Sequence, residues 1–207
     1  MEGGLADSFL TLVFRMSVLK ILLLSLQKKE AMKENKTGIY SSASLEFITV
    51  ANEYCAFLEL QKEYTPKDFV DKCTKLLPLL YLKTSLLPRF EPILEEPAEK
   101  FVTEYDYNHL NNNIAEKLGE HNDFLEVFHE DMQYSDTPIL AYISESLCDI
   151  YQDLKDTLQN FELAAEEAMN DAMYECQSNF ENIWGQTLVN VLRPLHQLKY
   201  SSIFDEE

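Results

Sequence analysis

The chain contains 207 residues, of which 46% are hydrophobic, and its formal net charge at pH 7 is −19. This length fits a single domain, and this hydrophobic content excludes a wholly disordered chain. Five glycines and seven prolines are too few for an all-β sandwich or barrel, which needs a turn about every 8–12 residues. We therefore expect an all-α protein.

The net negative charge lies entirely C-terminal to residue 36. Residues 1–36 hold six basic and four acidic side chains, so the rest of the chain holds eleven basic and 32 acidic ones. A surface this negative repels the phosphates of nucleic acids, so direct nucleic-acid binding is not expected. The charge either keeps the protein soluble or steers it toward a basic protein partner.

The apolar residues 9–26 allow three interpretations. Two basic side chains interrupt them, so they do not form a transmembrane helix of about 20 apolar residues, and no signal-peptide cleavage site follows. They could anchor a peripheral membrane protein as an amphipathic helix, or add a packed helix, although membrane association is not the favoured interpretation. Alternatively, residues 1–31 are an extension upstream of a start at Met32, which leaves one acidic helical domain at 32–207.

Capping residues and apolar spacing predict the first helices. Ser42 or Ser44 is expected to cap the first one. Thr65 and Pro66 predict the start of the second, because a threonine hydroxyl binds free backbone N–H groups and proline tolerates the first helical position. Pro78 predicts a kink in this helix. The apolar stripe of the first helix consists of Leu45, Ile48, Ala51, Cys55 and Leu58.

The middle of the chain alternates loops and helices. Residues 88–97 contain three prolines and predict an internal loop. Thr103 predicts the start of the next helix and Gly119 its end. A short helix is expected around residues 122–129.

The C-terminal half predicts long helices. Ser135 or Asp136, together with Pro138, is expected to restart helical structure. No glycine or proline occurs in 139–184, and a chain reversal near 159–165 would let two antiparallel helices bury their apolar stripes. We therefore predict an irregular helical bundle of six or seven helices.

Two acidic rows recur with i, i+4, i+8 spacing on these helices. Each row lies opposite the apolar stripe of its helix, so we expect both rows to face solvent, where a basic partner could use them. The rows are Glu145, Asp149 and Asp153, and Glu167, Asp171 and Glu175.

One spacing resembles a metal motif. Glu126 and His129 form E-x-x-H, which on a helix places both side chains on one face, as in di-iron bundle proteins. Such a site needs a second copy and two more glutamates, which we do not find, so polar side chains at a helix end are the simpler interpretation. No phosphate-binding glycine loop or nucleophile signature occurs. We therefore predict no cofactor and no catalytic residue; an enzyme or metal protein with an unrecognised site near Glu126 and His129 is an alternative.

Five side chains are candidates for contact with a partner protein: Tyr134, Asp136, Trp184, Arg193 and His196. Tryptophan and tyrosine often anchor interfaces, although core packing is the simpler explanation of Trp184. The four cysteines have no C-x-x-C spacing, which is typical of reduced, buried thiols in a cytoplasmic protein.

Three segments resemble a known family: KLGEHNDFLEVF, DMQYSDTPILAYISESLCDIYQDLKD and FENIWGQTLVNVLRPLHQLKY. The chain is similar over residues 43–200 to Bacteroidetes proteins grouped as domain of unknown function 5063, most specifically from Trp184 to His196. The resemblance implies an acidic, helical, cytoplasmic protein and an alanine in relatives where this chain has Pro194. It implies no activity, substrate or catalytic residue. We therefore expect a non-enzymatic interaction or adaptor protein with a protein partner.

Overall fold

The computed structural model describes residues 38–126, 139–163, 165–201 and 203–204. Within these residues the protein is an irregular bundle of six α-helices with one two-stranded antiparallel ribbon, so the predicted all-α class is confirmed. None of the helices in this part of the chain is both long enough and apolar enough to cross a membrane. The elements in chain order are α1 Ser42–Glu59, α2 Pro66–Ser85, α3 Glu104–Leu118, β1 Asp123–Glu126, β2 Ile139–Tyr142, α4 Ile143–Glu162, α5 Glu166–Asn179 and α6 Gly185–Tyr200.

Most of the predicted helix ends are confirmed. The Thr65 hydroxyl accepts a hydrogen bond from the first turn of α2, and the Thr103 hydroxyl does the same for α3 within a capping box. Gly119 ends α3 with a φ of 54°, a left-handed value that favours glycine.

The cap of α1 lies one position before the prediction. Ser41, rather than Ser42 or Ser44, accepts a hydrogen bond from the backbone N–H of Ser44 at 3.1 Å. The Ser44 hydroxyl instead donates to the carbonyl of Gly38 at 2.6 Å, which ties the helix to the preceding 3₁₀ turn. Consecutive serines offer several caps, and this tertiary contact selects one of them.

Helical structure continues from α5 to α6 through a π-helical turn at Phe180–Trp184. Gly185 follows this turn, and a Cβ at Gly185 would lie 2.3 Å from the carbonyl oxygen of Phe180. Only glycine allows this close approach without movement of the backbone. The chain reversal predicted near 159–165 is confirmed, because α4 ends at Glu162 and α5 begins at Glu166.

The predicted helix at 122–129 is wrong where the structure describes it. A 3₁₀ turn at Gly119–His121 leads into β1, and the four residues of β1 pair with those of β2. The restart of a helix at Pro138 is likewise wrong, because 139–142 form β2 and α4 begins only at Ile143. Each strand is four residues long, and its structure depends on a partner more than a dozen residues away.

The core lies where α1, α2, α4 and α6 meet, and its largest buried side chains include Tyr54 and Trp184. The Tyr54 hydroxyl donates to the carbonyl of Leu147 at 2.9 Å, and the Trp184 indole N–H donates to the carbonyl of Cys176 at 3.2 Å. These bonds satisfy the polar atoms that the two rings bring into the core. All four cysteines are buried and free, as predicted.

Candidate functional site

A cleft of about 700 Å³ lies between β1 and the part of α6 that begins at Val189. Its walls carry apolar side chains that remain in contact with solvent: Leu125 is 58% exposed, Val189 48% and Ile203 42%. A concave site with apolar walls and a few polar groups has the form of a binding site.

Two contacts show that β1 runs alongside α6 in the opposite direction. Asn190, near the start of α6, donates a hydrogen bond to the carboxylate of Glu126 at the end of β1. His121, just before β1, contacts the ring of Phe204, just after α6, at 5.7 Å between ring centres. From Asn190 to Ser201 the α6 side of the cleft is therefore about 17 Å long, at 1.5 Å per helical residue, whereas the four residues of β1 span about 13 Å, at 3.3 Å per extended residue. The α6 side is as long as about five residues of an extended chain.

The sequence of α6 divides its surface between the core and the cleft. The core face contains Leu188, Val191, Leu195 and Leu198, which follow helical spacing and are buried. Val189, Arg193 and Gln197 lie four residues apart on another face and line the cleft. Pro194 also lines the cleft and has no N–H, so the carbonyl of Asn190 lacks its helical donor there.

One edge of β1 is open in the part of the chain that the structure describes. The N–H of Ile143 donates to the carbonyl of Asn122 at 2.7 Å, so these two residues have the register of a hydrogen-bonded pair, although the Asn122 N–H donates to Gly119 instead. Because such pairs alternate in antiparallel strands, Asp123 and Leu125 turn their backbone N–H and C=O groups away from β2. Both residues line the cleft, so unpaired strand groups lie at its side.

The Asn122 side chain fixes the ribbon to the start of α4. Its carbonyl oxygen accepts from the backbone N–H of Ser144 at 2.9 Å, and its amide bonds the Ser144 hydroxyl at 3.1 Å. Asn122 and Ser144 are both buried, so they hold the strand in position.

Glu126 does not lie on a helix, so the predicted helical spacing with His129 is wrong for this residue. It is a strand residue whose carboxylate is bound to Asn190. His129 lies outside the described residues. Among the described residues, no group of three or more His, Cys, Asp or Glu side chains could hold a metal ion.

Arg193 is the predicted site residue that the structure places in the cleft. No described carboxylate pairs with its guanidinium, although Glu120 and Asp123 line the same cleft. The His121 ring lies 3.8 Å from the carboxylate of Glu120. Within the described residues, the cleft therefore offers a guanidinium without a carboxylate partner.

Of the other predicted contact residues, the two that the structure describes, His196 and Trp184, do not line the cleft. His196 is exposed on the far side of α6, where its ring contacts Tyr200 at 4.7 Å. Trp184 is fully buried, so core packing explains it. Tyr134 and Asp136 lie outside the described residues, as do the apolar residues 9–26. The sequence analysis missed Val189 and Gln197 as cleft residues. Each lies four residues from Arg193, and this spacing places all three on one face of a helix.

Outside the cleft, acidic and amide side chains of α4 and α5 bind the backbone of an irregular segment. Residues 88–102, which we call the strap, cross α4 and α5 without regular secondary structure. Side chains of these helices bind the strap backbone. The bonds run from Phe90 N–H to Gln177, Ile93 and Leu94 N–H to Asp171, Ala98 N–H to Glu175, and Phe101 and Val102 N–H to Asp156.

The prediction that the whole acidic row of α5 faces solvent is therefore wrong. Asp171 is only 5% exposed, and its oxygens accept from the strap at 2.7 and 2.6 Å. Burial alone would raise the pKa of this carboxyl. The hydrogen bonds from Asn170 and from the two strap amides outweigh burial and lower the pKa below its ordinary value. Glu167 is exposed, as predicted.

A second cleft, of about 440 Å³, lies between α3 and α4 and is more polar. Its central carboxylate, Glu59, already accepts a hydrogen bond from Tyr151 at 2.9 Å and pairs with Lys155 at 2.7 Å. Because these side chains already bond one another, they are less available to a ligand. The cleft between β1 and α6 is therefore the better candidate site.

Comparisons with known proteins agree with the fold. Residues 38–201 match the family described as Domain of unknown function (DUF5063). No curated protein matches the chain. The crystal structure of protein BF1032 from Bacteroides fragilis, a target of the Northeast Structural Genomics Consortium, is similar. It shares 44% sequence identity, covers 80% of this chain and 97% of that chain, and has a TM-score of 0.71. The chain belongs to the family of the domain of unknown function DUF5063.

Proposed function

We propose that the protein is a non-enzymatic interaction protein that binds an extended segment of a partner protein in the cleft between β1 and α6. The observation that supports this proposal is the combination of solvent-exposed apolar walls with an open strand edge along one cleft. An extended segment can add a strand to such an edge, which gives affinity through backbone hydrogen bonds, while side-chain pockets give specificity.

The dimensions of the cleft suit this occupant. Its α6 side is as long as about five extended residues, and an added strand would bond the outward backbone groups of Asp123 and Leu125. Alternate side chains of that strand would reach α6, where Val189 offers an apolar contact. The acidic surface of the remainder of the protein repels nucleic acids, so we expect a protein partner.

Substitution in the cleft tests the proposal. Val189→Lys places a charge against the apolar wall, and desolvating that charge weakens binding by at least about tenfold, or 1.4 kcal/mol. Leu82→Lys is the matched control, because Leu82 is similarly exposed at 51% and lies on α2, outside the cleft lining. Circular dichroism spectra would check that both variants are folded.

The measurement is a quantitative pull-down from native lysate with the wild-type protein and the two variants. We expect at least one protein to be captured by the wild type and by Leu82→Lys in similar amounts, and to be depleted about tenfold with Val189→Lys. Capture that does not depend on Val189 would argue against the cleft as the binding site.

A further inference from the structure

The charge of Arg193 narrows the chemistry of the partner segment. The body of the chain has almost three acidic side chains for each basic one, so a cation is expected to find a carboxylate of the same chain. Five lysines in the described residues meet this expectation: Lys75 with Asp71, Lys83 with Glu46, Lys100 with Glu175, Lys155 with Glu59, and Lys199 with Asp71. Not every cation does; among the described residues, Lys72 and Lys117 bond oxygens of Tyr64 instead.

Arg193 lies in the cleft between β1 and α6. Its guanidinium has no carboxylate partner among the described residues, although the cleft contains Glu120 and Asp123. The carboxylate of Glu126 accepts a hydrogen bond from Asn190 and forms no ion pair with Arg193 in this part of the chain. The guanidinium therefore remains available to a ligand. Its planar set of N–H donors matches a carboxylate, which it can bind through two parallel hydrogen bonds.

A second donor lies beside it. Gln197 is one helical turn after Arg193 and also lines the cleft, and its side-chain amide has no described hydrogen-bond partner. An acceptor that enters the cleft can therefore meet the guanidinium and an amide N–H on the same face of α6.

The spacing along α6 fits the spacing of an extended chain. Val189 and Arg193 are four residues apart, which is about 6 Å along the helix axis. Side chains i and i+2 of an extended strand project to the same side and lie about 6.6 Å apart. An apolar side chain against Val189 therefore places the side chain two positions away near Arg193.

Resting on the proposed function, we propose that the segment bound in the cleft carries an aspartate or glutamate side chain two positions from an apolar one, and that Arg193 pairs with this carboxylate. The net charge of the protein does not prevent this pairing. Repulsion from distant surface carboxylates is screened beyond about 8 Å at physiological ionic strength, whereas the pair with Arg193 is a direct contact. The same repulsion favours a segment with a single acidic side chain over a run of them.

Fluorescence polarisation with synthetic peptide pools tests the proposal. Three fluorescein-labelled pools of seven residues share a frame of alternating valine, isoleucine or leucine and threonine, with end groups blocked. They differ only at one central position, two residues after an apolar one, which is aspartate, asparagine or lysine. The full-length protein is titrated into each pool, as wild type and as the variants Arg193→Gln, Val189→Lys and Arg89→Gln. Arg89 is the control, because it is exposed on the strap, away from the cleft.

We expect the aspartate pool to bind at least about tenfold more tightly than the asparagine pool, from the strength of a charge-assisted pair. Arg193→Gln should abolish this difference mainly by weakening the binding of the aspartate pool, and Arg89→Gln should change the binding of neither pool. Equal binding of the aspartate and asparagine pools, lost in Val189→Lys, would overturn the carboxylate inference and leave the proposed function intact. Tightest binding by the lysine pool would overturn it in favour of a basic segment. If no pool binds in a way that depends on Val189, both proposals fail.

Discussion

The Asp156 carboxylate allows a direct test of how the strap is held. One of its oxygens accepts from the N–H groups of Phe101 at 2.8 Å and Val102 at 2.9 Å, and only 3% of the residue is exposed. Alanine at this position removes both bonds. Asparagine keeps an oxygen for them and removes only the charge. We therefore expect Asp156→Ala to cost more stability than Asp156→Asn.

The magnitude follows from these contacts. Each hydrogen bond to a charged group contributes about 1.5–3 kcal/mol, so the two bonds contribute about 3–6 kcal/mol. The second oxygen of Asp156 is buried without a hydrogen-bond partner among the described residues, and its removal returns about 1–3 kcal/mol. The half-exposed Lys100 lies 3.9 Å from that oxygen, and this pair contributes less than about 1 kcal/mol. We expect a loss of about 2–4 kcal/mol for Asp156→Ala and about 1–2 kcal/mol for Asp156→Asn, because hydrogen bonds to a neutral oxygen are about half as strong.

Urea unfolding measures both losses, provided that the denaturant dependence of the free energy of unfolding is the same in each variant. Amide hydrogen exchange locates the effect, because Phe101 and Val102 should lose protection in Asp156→Ala alone. Equal losses in the two variants would refute the reasoning, since they would show that the charge, rather than the acceptance of two backbone bonds, is what matters. A loss below about 0.5 kcal/mol in both would refute it as well.

Three further predictions concern other parts of the fold. Gly185→Ala should lower the free energy of unfolding by about 1–3 kcal/mol, measured by thermal unfolding, because its Cβ would meet the Phe180 carbonyl; an unchanged melting temperature would contradict the geometry of the π-helical turn. Asp171 has a lowered pKa in the folded state, so the stability that it contributes is complete above the ordinary aspartate pKa of about 3.9 and is lost as the pH falls through the folded value. The stability difference between the wild type and Asp171→Asn should therefore narrow below pH 4 in acid unfolding series, and a constant difference would contradict this assignment. Burial raises the pKa of Cys148 and Cys176 to about 12, so these thiols should resist alkylation at pH 8 until urea unfolds the protein, and fast labelling of the native protein would show that they are accessible.

The helices could be predicted because their signals are local. Thr65 with Pro66 and Thr103 three residues before Asp106 act within a single helical turn, and Gly119 acts at its own position. Nothing in four-residue segments such as 123–126 distinguishes a strand from a helix, because the deciding hydrogen bonds come from β2. The ribbon therefore could not be predicted from its own residues.

The candidate site was predictable only in part for the same reason. Arg193 could be singled out on α6, but its place opposite β1 depends on contacts between distant parts of the chain, such as the hydrogen bond from Asn190 to Glu126. Asp171 has the spacing of a solvated acidic row, yet its partners lie 77 and 78 residues earlier in the chain. Within the strap, the Asp171 carboxylate binds only backbone N–H groups, those of Ile93 and Leu94. Because every residue except proline has such a group, the side chains at these positions give no sign of the contact in the sequence.

At residues 91–97 the strap combines hydrogen-bonded backbone groups with exposed side chains. Residues 91–97 are all exposed, while the N–H groups of Ile93 and Leu94 are bound by Asp171. Substitutions at 91–97 that leave backbone bonding intact should therefore be tolerated far more readily than substitutions of the helix carboxylates. This part of the fold is consequently a natural place to display a foreign epitope of about seven residues in a bent, non-helical conformation, with α4 and α5 as its rigid support.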